Sequence, residues 1–243
     1  MKFSKKGNNP AWAVSCFFRG LRWALKPELR KFIVIPVLIN LVLYSAVLVL
    51  GYYYVADLIA HFIPDWLSWL SWVLWPLFFL SFFIAGFFTF TIVANVIAAP
   101  FYGALSAKSA ELITGRKLEI GEHSVNKIIL AEFKRFGYMG SRALPLLIVS
   151  IIPGINIAAP FLWALFGAWG AALEYMAYPL ENAGLLFSEQ RKILKSIRLG
   201  SMSFGGVTVL GLTLPIINII VAPAAVIGAT IFVLQAGEGE TTQ

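Results

Sequence analysis

Two stretches decide how this chain meets its solvent: IIPGINIAAPF at 151–161 and TLPIINIIVAPAA at 213–225. Each reads proline, two residues, asparagine, then Ala-Pro: Pro153, Asn156 and Pro160 in the first, Pro215, Asn218 and Pro223 in the second. Each lies inside a long apolar run. The first run offers 143–152 before its proline, the second 204–214. About ten residues of helix rise ~15 Å, half of a ~30 Å hydrocarbon core. Basic residues flank both runs. If each run crossed the membrane once, the basic windows would fall on opposite sides. If each run enters, bends at its proline and leaves on the same side, they stay together. Two membrane-dipping hairpins, 143–173 and 202–234, are therefore expected. Bends free backbone N–H and C=O groups, tolerated at depth only in protein or beside a wet cavity. Asn156 and Asn218 can bond such groups. Paired, interrupted apolar segments point to a transport site. The alternative is kinked spans with asparagine joining helices.

Composition sets the class. Of 243 residues, 59% are hydrophobic and 13% charged, with a mean hydropathy of +0.81. Soluble domains carry about a quarter charged residues. The chain reads as an integral membrane protein. Its single cysteine, Cys16, excludes an internal disulfide, and no Cys/His spacing suggests a metal. His61 and His123 read as loop or interface histidines. There is no G-x-x-x-x-G-K-[ST], G-x-S-x-G or H-E-x-x-H. Neither an enzyme, a cofactor nor a cleavable signal peptide is expected.

All 19 Lys and Arg fall within 2–31, 108–142 and 191–198, while 57–65 holds two aspartates and neither Lys nor Arg. The positive-inside rule puts the basic windows and both termini in the cytoplasm and 57–65 outside. The net charge of +7 is thus topology, and a nucleic-acid partner is not expected.

The expected fold is an all-α integral membrane protein of one domain, 1–243. Residues 32–56 and 76–99 are its two long spans. Between them Trp66, Trp69, Trp72 and Trp75 recur every third residue, an interface belt or a packed stripe. Residues 108–142 read as a cytoplasmic helical segment, with Ile128, Ile129, Phe133 and Phe136 at helical spacing. Residues 1–31 read as an amphipathic helix with Asn9 as N-cap and Pro10 at N1. Val14, Phe17, Phe18, Leu21 and Leu25 share one face; Arg19, Arg22, Lys26 and Arg30 share another. This describes a membrane-surface anchor, or an anion site at RGLR, where Gly20 leaves backbone approachable and arginine offers a planar fork. Glu174 is the main ionisable group within an apolar run. It is either an interfacial carboxylate or a pore or proton-linked group.

Several segments together resemble the CysZ family of bacterial inner-membrane sulfate permeases: RGLRW at 19–23, ANVIAAPFYGAL at 94–105, IPGINIAAPFLWALFGAW at 152–169, EYMAYPLEN at 174–182, and LPIINIIVAP through GAT at 214–230. The resemblance covers nearly the whole chain. It implies partly penetrating hairpins, a homo-oligomer, and sulfate uptake for cysteine synthesis without ATP hydrolysis of its own. It carries the family's sulfate-contacting Gly-Leu-Arg motif onto Gly20, Leu21 and Arg22, with Arg19 as a neighbour. Asn156, Asn218 and Glu174 remain candidates for the pore or the bends. The competing function is a scaffolding membrane protein whose prolines and asparagines only pack helices.

Overall fold

A computed structural model describes residues 2–117, 121, 124–214 and 217–238. His123 and Pro215 lie outside the described residues. In chain order the elements are β1 (Lys2–Phe3), a 3-10 turn (Lys5–Asn8), α1 (Pro10–Ala24), α2 (Pro27–Phe62), a 3-10 turn (Asp65–Leu70), α3 (Ser71–Thr114), α4 (Val125–Ile151), a 3-10 turn (Ile155–Ala158), α5 (Ala159–Tyr175), α6 (Ala177–Asn182), α7 (Phe187–Ser196), α8 (Arg198–Leu212), α9 (Asn218–Ala236) and β2 (Gly237–Glu238). The two strands pair antiparallel, Lys2 with Glu238 and Phe3 with Gly237, and join the terminal segments. Two compact units emerge, one of residues 31–101 and one of residues 1–30 with 102–243.

The smaller unit holds most of α2 and α3. The helices outrun the expected spans: 36 and 44 residues rise ~54 and ~66 Å. The chain does not leave its helix at AAPFYG. Pro100 lies within α3, where it removes one ladder bond, and the helix formers of SAKSAELIT carry the helix onward. Gly115 then stops it with φ +71°, its N–H bonding the Glu111 carbonyl at 2.9 Å, a left-handed cap. The pairs Tyr52–Trp75, stacked at 4.7 Å, and Tyr44–Thr89 at 3.1 Å run the two helices antiparallel. Trp66, Trp69 and Trp72 are exposed near the turn, while Trp75 packs inward on Tyr52.

Four stretches are long and apolar enough to cross a membrane: Pro27–Phe62, Trp66–Gly86, Ile155–Asn182 and Asn218–Ala236. Burial separates them. In the most apolar window of the first only 11% is buried, in the second none, but in the last 78%. An apolar surface as long and bare as the first two is suited to lipid rather than water. The last is an internal helix.

That internal helix, α9, organises the larger unit. α1 packs along it through small residues. The buried face of α1 is Ala13, Cys16, Phe17, Gly20 and Ala24, whereas Phe18 and Leu25 are exposed. Of the face expected from hydrophobicity only Phe17 is fully buried, and small residues make up the rest of the packed face. Lipid tails are as apolar as leucine, so large side chains gain little by leaving them, and small ones permit close backbone approach. A Cβ on Gly20 would collide with the Ala224 carbonyl and stand 2.7 Å from the Gly228 Cα. One on Gly228 would stand 2.9 Å from the Cys16 carbonyl oxygen. α8 lies against α5 in the same way, with Gly205 facing the Ala168 carbonyl and the Ala172 N.

α4 and α5 form an antiparallel hairpin. The Trp163 indole donates to Ser150 Oγ and the Trp169 indole to Tyr138 Oη, both at 3.0 Å. α4 runs unbroken past Pro145 to Ile151, so the end of segment 108–142 and the first arm of 143–173 share one helix. The arms α8 and α9 meet at their bend, where Gly211 approaches Val221. Farther along, Phe17 of α1 packs edge-on against Phe204 at 6.3 Å, so α1 is wedged beside that second pair rather than lying free.

These contacts order the glycines by consequence. Gly205→Val should unfold or strongly destabilise the protein, by ~3 kcal/mol or more, because backbone cannot step aside for a methyl group. Gly140 has nothing within 4 Å of its open side, so Gly140→Ala should be neutral or stabilising by ~0.5–1 kcal/mol. Thermal unfolding of both variants in detergent, read by fluorescence-detected gel filtration, checks the order.

Candidate functional site

RGLR occupies the last turns of α1, and its four residues face different ways. The Arg19 guanidinium donates to the Gln235 side chain on α9 at 2.8 Å. Gly20 sits mid-helix, where its N–H belongs to the α-helical ladder, and its open side is filled by α9. Leu21 is half-buried and Arg22 is exposed. Among the described residues the Arg22 side chain has no hydrogen-bond partner and no carboxylate within 4.0 Å. It lies in the last turn of α1, where positive charge complements the helix dipole. A two-residue link, Leu25 and Lys26, leads to α2. There Lys26 Nζ covers the Trp23 ring at 3.4 Å, and Arg30 Nε donates to the Leu25 carbonyl at 3.0 Å. Of the cations on this helix end, Arg22 alone presents an unengaged planar fork among the described residues, the geometry that grips a carboxylate or tetrahedral oxyanion.

Both asparagines stand just past a bend, exposed. Their side chains make no hydrogen bond among the described residues. Their main chains do: Asn156 N–H donates to the Ile152 carbonyl at 3.0 Å, and Asn218 N–H to the Leu214 carbonyl at 3.1 Å. Each bond runs from residue i to i−4 and brackets the proline. The main chain thus does at both bends what was expected of the amide side chains. Gly154, with φ +85°, turns the first bend in a region that non-glycine residues avoid.

Glu174 lies on α5, exposed, in the electrostatic neighbourhood of Arg135, Tyr102 and Tyr178. Tyr102 and Tyr178 meet edge-on at 5.6 Å. Burial, with the Glu174 charge adding to it, pushes the Tyr102 hydroxyl up to about 12. The hub beside them is Arg135 of α4, which sequence alone did not single out. It donates to Glu181 at 3.0 Å and to Gln190 at 3.1 Å, and pairs with Glu132 at 3.1 Å. Gln190, fully buried, in turn donates to the Leu185 carbonyl at 2.9 Å. The partners are spread over α4, α6 and α7, so no spacing in the sequence announces them. Among the described residues there is no group of three or more His, Cys, Asp or Glu fit to hold a metal.

The hub has a testable balance. Arg135→Met should cost ~1–3 kcal/mol by stranding the buried Gln190 oxygen. Glu132 behaves oppositely. Burial lifts its carboxyl above the ordinary 4.5, Arg135 pulls it back, and Glu181 adds to the lift. A folded pKa above the unfolded one gives stability below the unfolded value that is lost as pH rises through the folded value. Glu132→Gln should therefore hold or raise the melting temperature at neutral pH, with the difference closing near pH 4.5. Melting curves across that range check both.

The chain's relatives share most of its length. A family described as Sulfate transporter CysZ/Etoposide-induced protein 2.4 matches residues 16–223. The chain is 39% identical over 233 residues to the sulfate transporter CysZ of Pseudomonas aeruginosa (strain LESB58), covering 91% of this chain and 93% of the relative. It is 41% identical over 222 residues to that of Pseudomonas fluorescens (strain Pf0-1), covering 88% and 89%. Against that of Pectobacterium atrosepticum it is 37% identical over 226 residues, 89% of this chain and 82% of the relative. On a match of this length and identity, the chain belongs to the CysZ/EI24 family.

Proposed function

We propose that the protein is a sulfate permease of the bacterial inner membrane, which moves sulfate into the cytoplasm for cysteine biosynthesis without hydrolysing ATP itself. The observation that carries this reading is the alignment of nine-tenths of the chain with proteins named sulfate transporters. The free Arg22 fork supports it. A dianion must be shielded from low dielectric along its path, and cationic and N–H donors can do so where carbonyls would repel it. Arg22 makes the direct contact. Gly20 and Leu21 place it by seating α1, and Arg19 fixes that seat through Gln235. Asn156, Asn218 and Glu174 are pore-side candidates. The two asparagine side chains, without a hydrogen bond among the described residues beside bends closed by main chain, support that role, as does the electrostatic reach of Arg135 to Glu174.

The arrangement in the membrane follows. Both hairpins dip in from the cytoplasm and turn within the bilayer. Their tips support this, since Ile151, Ile155 and Ile157 on the first and Leu214, Ile217 and Ile219 on the second are large, apolar and bare. Both termini are cytoplasmic and 57–65 is external; the pairing of β1 with β2 supports putting the two termini on one side. Partly penetrating hairpins leave a path incomplete in one copy, so the permease is a homo-oligomer.

Isotopic sulfate flux into liposomes holding only this protein tests the function. Uptake above empty liposomes is expected, and its absence would return the scaffolding reading. Repeating it with and without a proton gradient separates a channel from a symporter. Arg22→Ala should weaken sulfate binding about 10- to 150-fold, the equivalent of one charged hydrogen bond or fork, and Arg22→Lys should restore only part. For topology, Ser4→Cys and Ala60→Cys are compared in a Cys16→Ser background using an impermeant thiol reagent. Ala60→Cys should label from outside and Ser4→Cys should not. A spin label at Gly154 should sit at bilayer depth; a label at the external headgroups would mean an ordinary span.

A further inference from the structure

A cavity of about 530 Å³ lies among α4, α5 and the α7–α8 junction. It is apart from RGLR, and none of the residues assigned above to sulfate lines it. Its polar wall is Tyr138, Arg142, Trp169, Lys195 and Arg198, and among the described residues no carboxylate lines it. The Arg142 guanidinium lies 3.6 Å from the Tyr138 ring centroid and gives one N–H to the Tyr138 carbonyl. Arg191 faces the same ring at 5.0 Å, and its buried Nε has no partner among the described residues. None of Arg142, Arg191, Lys195 and Arg198 has a carboxylate within 4.0 Å among the described residues.

Arg142 and Arg191 share the Tyr138 ring and Lys195 and Arg198 line the cavity beside it, so like charges gather there and repel each other. An anion relieves that repulsion. The Tyr138 hydroxyl is set for it too. It accepts the Trp169 indole N–H at 3.0 Å, so its own proton remains to be donated. The second amide of α8, Leu199 N–H, is already bound to the Asn8 side chain at 2.9 Å. The side chains make the site. Arginine forks, an ammonium and a hydroxyl converging on a cavity suit a tetrahedral oxyanion with several acceptor oxygens.

We propose that this cavity is a second oxyanion site, taking either inorganic sulfate or the phosphate of an anionic lipid headgroup. Both sources present the same tetrahedral acceptor. The site goes beyond the permease reading and does not require it.

The test uses the full chain, purified in detergent at fixed ionic strength. Arg22→Ala removes the first contact, and the double variant Arg142→Gln/Arg198→Gln is added to it. Equilibrium binding of isotopic sulfate is measured on both proteins, and native mass spectrometry counts retained phosphatidylglycerol. The proposal expects the added double variant to lower residual sulfate affinity, or phosphatidylglycerol retention, by about tenfold or more. Loss of sulfate binding identifies the free anion; loss of retained lipid identifies the headgroup. The Arg142→Lys/Arg198→Lys pair should restore part of the lost signal. If the glutamine pair does not fold, Lys195→Gln on the exposed face of α7 replaces it and should give a smaller loss in the same assay. No change in either ligand in a folded variant overturns the site. Unchanged sulfate affinity in Arg22→Ala alone would overturn the Arg22 assignment and leave the cavity standing, so the two failures are distinct.

Discussion

The larger unit depends on two helix pairs brought to backbone contact by glycine. In an apolar solvent, burying leucine against leucine gains little, because lipid already solvates both. What remains is dispersion between close surfaces, which falls off within an ångström of separation. Gly20 and Gly228 let α1 lie on α9, and Gly205 lets α8 lie on Ala168 and Ala172 of α5. Gly7 and Gly200 repeat the device where the N-terminal segment reaches the start of α8. Once these contacts form, α9 is enclosed, its apolar length is used inside the protein, and Arg19 and Arg22 are held in one orientation at the end of α1.

The polar groups are divided by partner. The terminal nitrogens of Arg135 pair with carboxylates and a buried amide from three helices, which offsets the cost of a partly buried charge. It holds α4, α6 and α7 together. Among the described residues Arg22, Arg142, Lys195 and Arg198 are left without a carboxylate. An exposed, unpaired cation costs little in water and gains much when an anion arrives. The same residue type thus serves structure in one place and is free for ligand in another, and the difference lies in which neighbours the fold supplies.

The two bends show a repeated solution to one problem. A proline within an apolar run removes a donor and frees a carbonyl. At each bend the amide of the following asparagine closes an i to i−4 bond around it. The asparagine side chain is thereby released from that duty and stands exposed. Both bends also carry bare isoleucines, so backbone repair and apolar surface coincide at the same points of the chain.

Much of this was legible in the residues themselves. Apolar run lengths announced α2 and α3, since a charge-free stretch of more than 20 residues has few other uses. Pro153-Gly154 announced the first bend, because few other pairs stop a helix so firmly. Asn9 and Pro10 placed the start of α1, and the Asn9 side chain indeed accepts from Trp12 N–H. Local chemistry sets such features. Three others required the assembled fold. The packing face of α1 could not be chosen by hydrophobicity, because in lipid the small face wins. Whether α9 meets lipid or protein could not be read from its hydropathy, which both environments satisfy. Arg135 and Arg22 look alike in sequence. Only tertiary contact surrounds one with Glu132, Glu181 and Gln190 and leaves the other open, because charge pairing depends on distances between helices that no local spacing encodes.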